Sequence, residues 1–457
     1  MNNKNDYLST EDLSKLIWKF SLPAIISGLV GALYNIADQI FIGQSIGVLG
    51  NAATNIAFPL TTISTGIALL LGIGTASNYN LRRGQKRDVE AGEIMGAGIS
   101  LIIITGLLLA FLIFIFLTPL LNIFGATDKV FPYALTYTSI TTFGLPFYIL
   151  STSGSFLIRA DGSPKYAMFA TLTGAIINVV LDPIFIFLLD MGIMGAALAT
   201  IIGQIISGFI IIVYFIKYKN MDLKKDYFKV NFYEIKKISA LGASACFNQI
   251  AVTIVQITMN NTLTYYGELS KYGSEIPLAT VGIVTKLNIL IISVIIGIAQ
   301  GCQPIFSYNY GAKNYKRVKN TMKKAFKYIT TFTVLAFFII QLFPAKIISL
   351  FGNGNELYFE FATRYLRVFM FFTFLNGIQP LSGNFFASIG KAQKGMLIAL
   401  TRQILFLMPL IILLPKFFGI EGVIFAGPIA DFAAILVSGY LVLKEFKILD
   451  NLSLSNN

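Results

Sequence analysis

The sequence predicts an all-α polytopic membrane protein: twelve transmembrane helices in two pseudo-symmetric six-helix bundles. Three observations carry that expectation. Apolar segments long enough to cross a bilayer recur along the 457 residues, which are 55% hydrophobic and only 12% charged. The connecting loops alternate between basic and nearly charge-free. The second half of the chain repeats the first.

The apolar segments fall at 16–42, 52–78, 93–118, 132–158, 166–189 and 195–216, then at 238–265, 278–307, 322–344, 358–387, 395–415 and 422–443. The first contains SLPAIISGLVGALYNIADQIFIG, with one side chain ionised at neutral pH, Asp38, deep inside it. The fifth contains NVVLDPIFIF, with Asp182. A charged side chain at the centre of a spanning helix costs roughly 2.5–3.5 kcal/mol on insertion scales, so such residues face a cavity or a partner. Pro146, Pro183, Pro380, Pro409 and Pro428 lie inside segments and mark expected bends.

Most of the 35 Lys and Arg lie on one set of loops and the two tails. That set holds Arg82, Arg83, Lys86, Arg87, Arg159, Lys165, Lys391 and Lys394, with the basic stretches 217–237 and 313–327. The opposite loops hold Lys129, Lys271, Lys346 and Lys416. The positive-inside rule makes the first set cytoplasmic, together with both termini. The division expected is a tail (1–15), a first lobe (16–216), a basic linker (217–237), a second lobe (238–443) and a tail (444–457). The net charge of +13 therefore reports membrane topology and contact with anionic headgroups, and no nucleic acid is expected. Residues 1–15 are polar and of mixed charge, without the pattern of a cleavable signal.

The repeat is read from glycines. Gly74 matches Gly301, 227 positions on, and the same shift pairs Gly84 with Gly311, Gly195 with Gly422 and Phe124-Gly125 with Phe351-Gly352. Gly162 matches Gly390 and Pro183 matches Pro409 at shifts one residue either side. Each half has an even number of segments, so both enter the membrane from the same side. The repeats are parallel, about an axis along the membrane normal. Two bundles around such an axis leave a central cleft.

Residues three or four apart share a helix face, which groups Tyr34 and Asn35 with Asp38, and Asn178 with Asp182. Pro183 has no N–H, which frees a carbonyl one turn back. Carboxylate, amide and carbonyl oxygens suit a proton relay or a hard cation; polar residues binding helix to helix are the plainer alternative. The second half has no echo of the acids. Asp182 maps to Met408, and no acid lies between Glu234 and Glu268. Its segments instead hold Gln249, Gln256, Asn260, Gln300, Lys286 and Arg402, candidates to line the cavity, with Asp431 a partner for one of the cations. With no His, and with Cys246 and Cys302 isolated inside apolar segments, the chain offers neither a nucleophile–base set nor metal-ligand spacing, and no enzyme is expected.

These motifs resemble the multidrug and toxic compound extrusion (MATE) family, in its prokaryotic, MepA-like branch. The resemblance covers residues 10–445 and rests on LPAIISGLVGALYNIADQIFIG, RADGSPKYAM, NVVLDPIFIF and IGKAQKGMLIALTRQ. It implies two lobes in a V, a prokaryotic cell membrane, a monomer and export of cationic, amphipathic small molecules in exchange for H⁺ or Na⁺, with no bound cofactor. Carried over by position, the family's first-helix Asp is Asp38, its fifth-helix Asn and Asp are Asn178 and Asp182, and a sixth-helix cation-coordinating Thr is Thr200 in GAALATIIG. Asp38, Asn178, Asp182 and Thr200 would then form the Na⁺ set if Na⁺ is the coupling ion. Acids that some members carry in the seventh and tenth helices are replaced here by Gln249, Asn376 and Gln379, which confines the expected cation site to the first lobe. A lipid-linked saccharide flippase of the same superfamily is the alternative.

Overall fold

A helix satisfies every backbone N–H and C=O within one lipid-exposed segment. The computed structural model describes residues 7–350 and 355–454, and among them there is no strand. Twelve spans follow one another. The first six are α1 (Leu13–Ile46), α2 (Val48–Gly84), α3 (Asp88–Ile115), α4 (Phe131–Ala160), α5 (Pro164–Pro183) and α6 (Gly192–Val213). Next come α7 (Phe232–Glu268), α8 (Glu275–Gly311) and α9 (Tyr315–Leu342). The last three are α10 in two pieces (Glu356–Phe369 and Ile378–Ser388), α11 (Ala392–Leu400, running on through a π turn, Thr401–Leu407) and α12 (Ile420–Leu454). Ten helices are long and apolar enough to span by themselves; the two outside that group are α4, rich in Thr, Ser and Tyr, and the broken α10. Exposed apolar stripes mark the lipid face, such as Phe432, Leu436, Tyr440 and Leu443 on α12.

Two local features differ from expectation. The break in α10 is a 3₁₀ turn at Phe371–Leu375, upstream of Pro380. Pro380 sits in the first turn of the second piece, where its missing N–H costs nothing. The stretch expected as a plain linker is partly folded and pinned to the first lobe. A 3₁₀ turn, Lys225–Phe228, lays Tyr227 against Gly92 and Gly96 of α3, and Ser100 donates to the Phe228 carbonyl at 2.8 Å. Asn231 and Glu234 then close a reciprocal cap that starts α7.

The lobes exchange helix ends. Leu13, Leu16, Ile17, Phe20 and Ile25, from the start of α1, belong to the hydrophobic core of the second lobe. Ile238, near the start of α7, belongs to that of the first. The seam between lobes is therefore α1 on α8 and α2 on α7, each the repeat image of the other, and α2 also meets α8. At one end, beside the basic loops, the contacts are backbone-close and reciprocal. A Cβ at Gly84 would overlap the Tyr308 carbonyl, and a Cβ at Gly311 would overlap the Leu81 carbonyl, the same pair of positions exchanged between halves.

The seam widens away from that end. A Cβ at Gly301 would lie 2.6 Å from Ser21 Cα, one at Gly297 2.8 Å from Ile25 N, and one at Gly28 3.5 Å from Ser293 Cβ. At Gly31 and Gly282 a Cβ would meet nothing within 4 Å. The molecule is a V, closed at the basic end and open at the other. Among the described residues, the closed end also carries the N-terminal segment, where Asn309 and Arg317 donate to the Leu8 carbonyl at 2.9 and 3.0 Å.

Candidate functional site

The first lobe brings α1, α4, α5 and α6 together around the two aspartates. Asp182 is fully buried and Asn178 nearly so. Asn178, one turn before Asp182, donates its amide to Asp182 Oδ1 at 3.3 Å and to Thr200 Oγ1 of α6 at 3.4 Å. The chain leaves α5 through a π turn, Ile184–Leu188, directly after Pro183. Such turns widen a helix locally, and they recur at functional sites. Asp38 of α1 faces Asp182 within hydrogen-bonding reach, carboxyl to carboxyl. Thr171 donates to Ser27 Oγ at 2.9 Å and holds α5 against α1 closer to the closed end.

What distinguishes the cluster is its shortage of donors. Asp38 Oδ1, Asp182 Oδ2 and Asn178 Oδ1 are each buried and accept from no protein group. Buried oxygens are normally satisfied, and two carboxylates in contact repel unless something positive lies between them. A shared proton would do this, and so would a hard cation with oxygen ligands. No group of three or more His, Cys, Asp or Glu occurs among the described residues, so any cation here would rely on the amide and hydroxyl as well as on the acids.

Tyr34 stands beside Asp38 and near Tyr148 of α4. Asn35 is exposed, and its amide donates to the Gly31 carbonyl of its own helix at 2.7 Å. Its side chain stays within hydrogen-bond reach of Tyr34. The sequence reading missed Tyr137 of α4, which adjoins Asp38, Tyr34 and Asp182 and lies within hydrogen-bond reach of Thr200. Its signal was weak, since α4 carries three tyrosines.

The second lobe has no matching acids. Arg402 Nε of α11 bonds Asp431 Oδ1 of α12 at 2.5 Å, so the guanidinium is paired. Gln256 and Asn260, one turn apart on α7, bond each other at 3.0 Å. Gln249 lies half-buried on the same helix. Gln300 of α8 accepts from Arg159 of α4 at 3.3 Å, across the seam near the closed end, where the guanidinium also stacks on Phe156. Lys286 of α8 faces the cleft opposite α1 and α2. Asp161, in RADGSPKYAM, collects bonds from Tyr79, Tyr214 and the Asn220 backbone at 2.7–2.9 Å and ties the linker to the first lobe.

The MatE family model matches residues 23–184 and 245–413, one block in each half. The multidrug export protein MepA of Staphylococcus haemolyticus (strain JCSC1435) is 25% identical over 437 residues, covering 95% of this chain and 94% of that protein. MepA of Staphylococcus aureus (strain MSSA476) is 26% identical over 439 residues, with 95% of each covered. A solved structure described as an outward-facing conformation of a multidrug resistance MATE family transporter of the MOP superfamily superposes with a TM-score of 0.90 at 23% identity, covering 98% of both chains.

Proposed function

Because the chain belongs to the MATE family of multidrug efflux transporters, we propose that it exports amphipathic cations by antiport with H⁺ or Na⁺, using the carboxyl pair of the first lobe. The observation that carries this reading is the facing of Asp38 and Asp182 with three buried oxygens lacking donors. The relatives named multidrug export proteins support the substrate class.

In this reading Asp38 and Asp182 take the coupling ion from the open end, while Asn178 and Thr200 hold the pair in place and Tyr34 and Tyr137 line its approach. Neutralising the pair removes its repulsion and lets α1 shift against α5. The cleft then closes at the wide end and opens at the glycine-lined end. The basic closed end, the linker and both termini face the cytoplasm of a prokaryotic cell, and the protein works as a monomer. The flippase alternative needs cations free to hold a pyrophosphate; Arg402 is bound to Asp431, which leaves Lys286 alone of the pair.

The test is efflux of tetramethylrhodamine methyl ester, a permanent cation, from proteoliposomes under an imposed H⁺ or Na⁺ gradient. Transport should follow one of the two gradients and collapse in Asp182→Asn. Equal transport with and without either gradient would refute coupled antiport.

A further inference from the structure

The wide end of the V holds a cavity of about 490 Å³, within the range of small-molecule sites. Its first-lobe wall is Gln39 and Gln44 of α1 with Asn51 and Asn55 of α2, interleaved with Ile36 and Ile40. Its second-lobe wall contributes one charge, Lys286, and no carboxylate lines it. Arg402 has Asp431 and Arg159 has Gln300 and Phe156, but Lys286 forms no ion pair or hydrogen bond among the described residues. Opposite it, Asn51 Oδ1 is buried without a donor. The acids are close but face away: Gln39 follows Asp38 on α1, and successive residues on a helix point about 100° apart. The cleft side of α1 is amide while its inner side carries the carboxyl pair.

A substrate that is only a cation would have to lie beside Lys286 with no carboxylate in the cleft lining to offset the repulsion. A substrate with a cationic centre and a carboxylate fits both walls. Its carboxylate meets the ammonium of Lys286 in a charge-assisted contact, any N–H it carries meets Asn51 Oδ1, and its cationic centre lies toward α1 and the field of the aspartates. We propose that the cleft is built for zwitterionic amphiphiles, with Lys286 as the residue that selects the carboxylate. This rests on the exporter reading above and specifies its substrate class. A two-ended ligand also ties α1 to α8 across the open end, where a Cβ at Gly31 or Gly282 would meet nothing within 4 Å.

Tetramethylrhodamine and its methyl ester share a ring system and differ in whether the carboxylate is free, so they isolate the charge. Binding of each dye to the detergent-solubilised protein, read by fluorescence polarisation, and gradient-driven transport in proteoliposomes are measured side by side. The wild type should bind and move the free acid with at least tenfold lower half-saturation than the ester. Lys286→Gln should erase that preference by weakening the free acid and relieving the ester of the repulsion, and Lys286→Arg should keep it. A wild type that favours the ester, or a Lys286→Gln variant that shifts both dyes alike or neither, overturns the proposal. Loss of the exporter reading has a different signature: no gradient-driven movement of either dye, with the binding preference still deciding the role of Lys286.

Discussion

Gly301→Ala adds one methyl group to α8 where it crosses α1. The new Cβ would lie 2.6 Å from both Ser21 N and Ser21 Cα, which are backbone atoms with no rotamer to yield. Carbon atoms rest at about 3.5–4.0 Å, so the two helices must part by roughly 1 Å. Overpacking of this kind costs about 1–3 kcal/mol, against which alanine returns roughly 0.5–1 kcal/mol of helix propensity. The net is a destabilisation of about 1–2 kcal/mol, borne by the closed end. The same substitution moved along the seam supplies the scale. Gly297→Ala, with Ile25 N at 2.8 Å, should be slightly milder. Gly28→Ala meets Ser293 Cβ at an ordinary 3.5 Å and should be near neutral, and Gly31→Ala, facing open space, should stabilise. Thermal unfolding in detergent can be followed with a thiol-reactive fluorogenic dye, because Cys302 is buried and Cys246 half-buried. The ranking Gly31, Gly28, Gly297, Gly301 from most to least stable is the expected result. If Gly301→Ala and Gly31→Ala unfold together, the close seam and the V drawn from it are wrong.

Asp38→Asn and Asp182→Asn should each lower gradient-driven efflux at least tenfold in proteoliposomes while thermal unfolding stays close to wild type, since the amide is nearly isosteric and less costly to bury. Asp431→Asn strands the Arg402 guanidinium and should cost about 3–5 kcal/mol, whereas the double change Arg402→Met with Asp431→Leu should recover most of it; the thermal scan reads both, and a mild single variant would contradict the pairing. In a chain with Cys246→Ala and Cys302→Ala, single cysteines at Lys225→Cys and Lys271→Cys should react with membrane-impermeant reagents from opposite faces. Labelling from one face would overturn the orientation.

The spans were legible because length and hydrophobicity alone decide what a bilayer admits, and the repeat was legible because glycines at a helix seam tolerate little substitution. Which lobe each span joins was not. Leu16, Ile17 and Phe20 read as first-lobe residues by position, yet they complete the second-lobe core. Nothing in a 3.6-residue period tells which neighbour a face will meet. Pro380 misled about the bend in α10, since proline disturbs a helix interior and is harmless in a first turn. Asp38, Asp182, Arg402 and Asp431 stood out because charge within an apolar segment is expensive. Tyr137 did not, because tyrosine is at home at so many depths that its presence beside the acids shows only in three dimensions. Helical phase placed Tyr34 beside Asp38 and was too coarse to see that Asn35, a residue further on, spends its amide on its own helix.

Gly84 and Gly311 seat on each other's helix in the same way, so this part of the seam does not record which half is which. Two copies of one half would fit it as well as the native pair does. Identity is written instead in seam hydrogen bonds that have no repeat image, and Gln303 and Asn78 make two of them. Gln303 donates to Ser77 Oγ at 2.9 Å, and its counterpart in the first half is Ala76. Asn78 donates to the Lys237 carbonyl at 3.0 Å, and its counterpart is Ile305. If the chain were severed in the linker and its halves produced together, these two bonds would favour the mixed pair over either homodimer. Replacing Gln303 and Asn78 with the residues of their counterparts would weaken that preference without unmaking the seam, since α1 still packs on α8 and α2 on α7.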